Sequence, residues 1–232
     1  EKIAERIDAN LLNVNIRDIQ DLPEVLYNSK VQEISRKTQG KLIIKEYPTA
    51  SAHAGHFKAL LSDLSLKKDF KPDIIFIDYL NICASARYKG AIVNSYTYVK
   101  AIAEELRGLA VEHNLPIVSA TQTTRSGFGS SDPDLTDTSE SFGLPATADL
   151  MFALVSNEEL EQQGRIMVKQ LKNRYNDPTS SRKFMVGIDR SKMRLYDVAE
   201  DSNVLNQTED DENLPQFAET QNRLSKFAEW NV

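Results

Sequence analysis

With 232 residues, the chain is long enough for one α/β domain with a sizeable core and too short for two. Its single cysteine, Cys83, has no partner for an internal disulfide and no apolar run approaches a membrane span, which excludes a disulfide-built secreted module and a membrane-spanning protein and predicts a cytoplasmic protein. The net charge of −6 is uneven: residues 201–232 carry seven acids against Arg223 and Lys226, so the body is nearly neutral and nucleic acid stays open as a partner.

Helical periodicity is predicted for residues 1–9 and 29–39, and the alternation in Lys41-Leu-Ile-Ile-Lys-Glu-Tyr47 reads as a strand before Pro48. Leu60, Leu61 and Leu64 share one face of a helix from about Ala54 to Leu66. His53 and His56 precede that face without a third ligand nearby, so they are assigned to the helix start and not to a metal, while His113 and Cys83 are assigned to packing or surface. Asp73-Ile-Ile-Phe-Ile-Asp78 is an unbroken apolar run ending in one carboxylate, the pattern of a buried parallel strand that delivers Asp78 to its open end. A loop from Ser85 to Asn94 follows. Ser95 is then placed to cap a long helix with an apolar stripe of Val99, Ile102, Leu106 and Leu109, which Asn114 and Pro116 end.

Leu115-Pro-Ile-Val-Ser-Ala-Thr-Gln122 repeats the strand design but ends in an amide. Adjacent strand tips, one acidic and one amide, suggest a phosphate and metal site, with Asp78 holding Mg²⁺. That ion keeps several waters, so one protein carboxylate is sufficient. The plainer alternatives are that Asp78 caps the next turn and that Gln122 is a satisfied core amide.

Periodicity is lost over residues 123–138, a Gly-, Ser-, Asp- and Thr-rich loop. Asp149–Val155, Arg165–Leu171 and Lys183–Asp189 then read as strands, the last two joined across Tyr175-Asn-Asp-Pro-Thr179. Lys172 and Arg174 fall on one strand face, and by themselves they read as a solvated basic face. Residues 199–232 are expected to be an acidic, flexible tail with one short helix signal at 221–230, which leaves 1–198 as the expected folded body. No GxxxxGK[ST] sequence occurs, and the first residues are already helix-like without Met. The chain is therefore expected to be the C-terminal part of a longer protein whose phosphate-cradling loop lies upstream.

Four blocks, in order, resemble the DnaB-like replicative helicases, most closely those of the T-even phages. Phe76-Ile-Asp-Tyr-Leu80 resembles the family's Walker-B strand, and Val118-Ser-Ala-Thr-Gln122 with Arg125 resembles the motif whose Gln senses the terminal phosphate. Asp137-Thr-Ser-Glu140-Ser141-Phe-Gly-Leu-Pro-Ala-Thr-Ala-Asp149 is similar to the fourth motif, although Ser139 stands where many relatives have Arg. Gln170-Leu-Lys172-Asn-Arg174-Tyr175 resembles the Lys-x-Arg hairpin that reaches into a neighbouring subunit's ATP site.

The resemblance implies an α/β fold with a RecA-like parallel β-sheet, mixed at its edge and flanked by helices, truncated at the N-terminus. It also implies a homo-hexameric helicase that uses ATP and Mg²⁺ to translocate on single-stranded DNA, with a primase and a helicase loader as partners. A phage-encoded member would work in the host-cell cytoplasm. Asp78 would hold the metal, Gln122 would sense phosphate, and Lys172 with Arg174 would complete a neighbour's site. Arg87, Lys89, Arg125, Glu140 and Ser141 would face DNA in the channel, with Tyr88 and Phe128 as stacking surfaces. The rivals are a RecA- or clock-type ATPase on the same core, and a non-catalytic module that uses the fold for oligomerisation or partner binding.

Overall fold

The computed structural model describes residues 2–88, 93–122, 135, 143–176 and 182–198. Helices α1 (Lys2–Leu12), α2 (Glu24–Lys37) and α3 (Ala54–Lys68) lead into strand β1 (Ile75–Ile77). Next come a 3-10 turn at Leu80–Ile82, helix α4 (Ser95–His113) and strand β2 (Ile117–Ser119). The remainder is α5 (Gly143–Thr147), β3 (Leu150–Val155), α6 (Glu158–Gln162), β4 (Arg165–Asn173), β5 (Lys183–Asp189) and β6 (Arg194–Asp197). No helix among the described residues is long and apolar enough to cross a membrane.

β1 and β2 pair in parallel, Ile75 opposite Ile117 and Ile77 opposite Ser119, with α4 as the crossover between them. β3 to β6 form an antiparallel ladder in sequence order. The expected change from α/β to a β-rich end is thus present, but the parallel and antiparallel strands form two separate ladders among the described residues instead of one sheet mixed at its edge.

The core is built on α4. Val99, Ile102, Leu106 and Leu109 of the predicted stripe are all buried, Ile102 to 1% exposure. Leu80 and Cys83 from the turn after β1, and Leu144 from α5, complete the cluster, with Ile77, Ile117 and Phe57 packed against it. Each such aliphatic side chain contributes about 1.5–3 kcal/mol of burial. Burial also pushes the Cys83 thiol above its ordinary range, in keeping with a packing role.

Several local expectations are corrected. Asn94, not Ser95, caps α4: its side chain accepts from the Thr97 amide at 2.8 Å, and Ser95 is the first helical residue. Asn114 ends the helix in the left-handed conformation, as expected. Lys41–Tyr47 forms no strand, because no segment among the described residues supplies it with a ladder; Leu42 and Ile44 are 64% and 49% exposed. The stretch is tied down at its end, where the Tyr47 ring meets Phe57 edge-on at 5.7 Å, and further on, where Ala50 donates to Ile82 and Ala52 accepts from Ala84. β1 is buried on one face only: Ile77 meets the core, whereas Phe76 and its register partner Val118 are 69% and 46% exposed. The two histidines do open α3, as expected: Gly55 N–H donates to His53 Nδ1 at 3.0 Å and His53 N–H to His56 Nδ1 at 3.2 Å.

Candidate functional site

The ends of β1 and β2 are stitched into one surface. Ser119 Oγ donates to the Ile77 carbonyl at 2.8 Å, Leu80 N–H to the Ala120 carbonyl at 3.1 Å, and Thr121 Oγ1 bonds Asn81 Oδ1 at 2.8 Å. Asp78 stands exposed at the tip of β1. Tyr79 begins the 3-10 turn without any side-chain cap, so Asp78 is not spent on capping. Its carboxylate makes no hydrogen bond or ion pair among the described residues. Gln122 is exposed as well, which rules out the core-amide alternative, and its Nε2 donates to the Tyr79 hydroxyl at 3.3 Å. β2 ends at Ser119, so Gln122 lies three residues past the strand and not at its tip as predicted, and it reaches the segment after β1 through Tyr79.

A second cluster forms where β4 ends beside the start of β3. Three cations converge on the short helix α5. Lys172 Nζ donates to the Pro145 carbonyl at 2.5 Å, Arg174 Nη2 to Ala146 at 3.5 Å, and Arg107 Nη1 to Thr147 at 2.7 Å. Carbonyls without an intrahelical partner at a helix C-terminus attract cations in this way. Lys172 and Arg174 do project in the same direction, as the strand register predicted, and both reach carbonyls of α5, Lys172 half-buried and Arg174 still exposed.

Asp149 sits among these cations. Arg107 Nη1 donates to its Oδ2 at 2.8 Å, and Arg174 Nη1 lies 2.8 Å from its Oδ1. The hydrogen bond from Arg107, reinforced by the charges of Arg107, Arg174 and Lys172, holds the Asp149 carboxyl below the usual range against the opposing effect of burial. Lys172 is lowered, first by burial and then by repulsion from Arg174. No hydrogen bond or ion pair links this cluster to Asp78 or Gln122 among the described residues.

Of the candidate DNA contacts, Arg87 is described and is held by α4: its Nη1 pairs with Glu104. The loop beneath it is anchored by Glu105, which accepts from Ser85 Oγ at 2.6 Å, Ala86 N–H at 2.9 Å and Arg87 N–H at 3.3 Å. Lys89, Arg125, Glu140, Ser141 and Phe128 lie outside the described residues. Glu105→Ala is expected to cost about 1–3 kcal/mol, because it strands the buried Ser85 hydroxyl and takes the carboxylate acceptor from the Ala86 amide, while the Arg87 amide keeps Ser85 Oγ. It should lower the denaturation midpoint at constant m and speed tryptic cleavage after Arg87. An unchanged midpoint and cleavage rate would mean that the loop is held by other contacts.

Sequence reasoning missed Glu105, Arg107 and the pairing role of Asp149. Asp149 was visible only as the end of the fourth motif, and Arg107 pairs with it across 42 positions of sequence. Nothing in the local pattern signals so distant a contact.

A family model described as the DnaB-like helicase C-terminal domain matches residues 1–191. The chain belongs to that family. Within 205 residues it is 44% identical to a DnaB-like replicative helicase of Enterobacteria phage T4, an alignment that takes in 87% of this chain and 43% of the relative. Two solved structures are also similar. One, described as a DnaB-like replicative helicase and its interactions with primase, has a TM-score of 0.68 at 17% identity, covering 86% of this chain and 49% of that one. The other, an ATPase domain, has a TM-score of 0.66 at 16% identity, covering 84% and 69%. Like the DnaB-like ATPase domains it superposes on, the chain has a RecA-like α/β fold. It spans less than half the length of the curated relatives it matches.

Proposed function

We propose that this chain is part of a ring-forming replicative DNA helicase in which each ATP site is shared by two neighbouring copies, and in which hydrolysis drives movement along single-stranded DNA. The supporting observation is the division of the site. An exposed carboxylate, Asp78, with no bond among the described residues, stands near Gln122 on one surface, while the Lys172 and Arg174 pair is gathered at the end of β4 and bonds neither of them among the same residues.

The donor set fits Mg²⁺ and nucleotide. Asp78 offers one carboxylate, unpaired among the described residues, just past the end of β1, which suits an ion that retains most of its water. When bound, Mg²⁺ neutralises negative charge on the terminal phosphates. Asp78 would hold it. Gln122 would orient the attacking water or terminal phosphate by its amide and, through Tyr79, hold the tips of β1 and β2 in one arrangement. Arg174, a planar and permanently charged fork, would stabilise charge developing on the transferred phosphoryl group of the neighbouring copy, with Lys172 beside it. Arg87, Lys89 and Arg125 would contact DNA phosphates, with Glu140 and Ser141 setting the loop that carries Arg125. A primase is the partner that one similar structure suggests, and a helicase loader is a further partner.

Unwinding of a forked duplex by a full-length helicase carrying this chain tests the proposal. Displacement that requires ATP, and ATP turnover stimulated by single-stranded DNA, are expected. Nucleotide turnover that ignores DNA and displaces no strand would favour a clock-type ATPase on the same core.

A further inference from the structure

The geometry points to Asp149, braced by Arg107, as a positioning residue that aligns Arg174 for delivery to the neighbouring copy. The inference rests on the proposal above that Arg174 acts in trans, and it assigns a second carboxylate of this chain to the same reaction.

The two oxygens of Asp149 are held differently. Oδ2 receives a directed hydrogen bond from Arg107 at 2.8 Å, and the same Nη1 also donates to Thr147. Arg107 follows Leu106, one of the most buried residues of α4, so this half of the pair is anchored to the core. Oδ1 is buried and lacks a directed hydrogen bond, although Arg174 Nη1 lies only 2.8 Å away. Arg174 therefore neutralises Oδ1 by proximity alone. A contact of that kind is easier to exchange than a bidentate fork, in which two parallel N–H groups must be broken together.

The backbone fixes where the side chain starts. Arg174 N–H donates to the Asp149 carbonyl at 2.9 Å, and Asn173 stands opposite Leu150 in the ladder, so the bend after β4 is locked to the start of β3. From that fixed root the guanidinium extends to the surface, where it and the following Tyr175 are substantially exposed. Charge balance favours release. Arg107, Lys172 and Arg174 surround one carboxylate, and Arg174 is the cation that has neither a directed bond to Asp149 nor a short bond to α5. A phosphate from another copy would draw off the cation that is held least firmly. Without Asp149, the long arginine side chain would have to be ordered anew at each encounter.

Asp149→Asn in rings of a full-length helicase carrying this chain is expected to lower ATP turnover roughly 10- to 100-fold with nucleotide affinity unchanged. Subunit mixing separates this role from a purely structural one. Combined with Asp78→Ala subunits, Asp149→Asn subunits should recover turnover, because some interfaces then pair an intact Asp78 with an intact, aligned Arg174. Combined with Arg174→Ala subunits they should recover nothing, because every interface lacks either the arginine or its aligning carboxylate. The reverse pattern would place Asp149 in its own copy's nucleotide site. That pattern, recovery in neither mixture, or an unaltered turnover would each overturn the inference. Arg107→Gln, which removes the brace but keeps the carboxylate, is the second variant and should group in the same way with a smaller loss. It carries the test if Asp149→Asn rings do not assemble. The mixture of Asp78→Ala with Arg174→Ala is the control: if it fails, the trans role of Arg174 has failed, and if it succeeds while Asp149→Asn does not group with Arg174→Ala, only the role of Asp149 has failed.

Discussion

Arg174→Ala is expected to leave nucleotide affinity nearly unchanged and to depress ATP turnover by roughly 10³-fold or more in a full-length helicase carrying this chain. The asymmetry follows from where the residue sits. Among the described residues Arg174 bonds Asp149 and Ala146 and neither Asp78 nor Gln122, so on the proposed division of the site it would not hold nucleotide in its own copy. Supplied from a neighbour, it meets charge that is greatest in the transition state, and its removal raises that barrier without weakening ground-state binding. Nucleotide affinity from fluorescence titration, set beside steady-state turnover, checks this. A loss of affinity as large as the loss of turnover would make Arg174 an ordinary ligand, and an unchanged turnover would return it to the role of a solvated basic residue.

Asp78→Ala should abolish Mg²⁺-dependent turnover, with a fall of roughly 10²-fold or more. The carboxylate is exposed, caps nothing and pairs with nothing described, so its deletion removes no interaction that the fold uses. Stability should accordingly stay within about 0.5 kcal/mol of the starting protein, the usual range for surface substitutions away from special features. A Mg²⁺ titration of turnover, with thermal unfolding of the same preparation, separates the two effects. Full activity at ordinary Mg²⁺ would remove Asp78 from the metal site, and a large drop in melting temperature would expose a structural role that the geometry does not show.

Burial patterns decided how much could be read from the sequence. β5 was readable at both ends, Lys183–Asp189, because it lies inside the antiparallel ladder and shows the residue types of that setting. The stripe on α4 was readable for the same reason: one face meets the core along its whole length. β4 runs two residues beyond the predicted Leu171, since Lys172 pairs with Met151 across an irregularity in the register that local pattern does not reveal. β6 went unrecognised because all four of its residues are exposed, so no apolar alternation marks it. Lys41–Tyr47 failed in the opposite direction: its alternation resembles a strand, but a strand also needs a neighbour, and that is a property of the whole fold.

The site divides along the same line. The placement of Asp78 directly after β1, and of Gln122 close beyond β2, was legible because the ends of parallel strands are predictable from two short apolar runs. The alignment of Lys172 with Arg174 followed from the period of a strand. Arg107, Glu105 and the pairing of Asp149 were not legible, since each depends on a tertiary contact that brings α4 against a loop or strand far away in sequence.

Mixed rings of Asp78→Ala and Arg174→Ala subunits decide whether the ATP site is divided between copies. Each variant alone should be nearly inactive. Co-assembled, with mixed composition verified by native mass spectrometry, they should regain turnover that depends on the mixing ratio, because a fraction of interfaces pairs an intact Asp78 with an intact Arg174. Mixed rings that stay inactive at every ratio would contradict a shared site and would leave Arg174 without a catalytic role in trans.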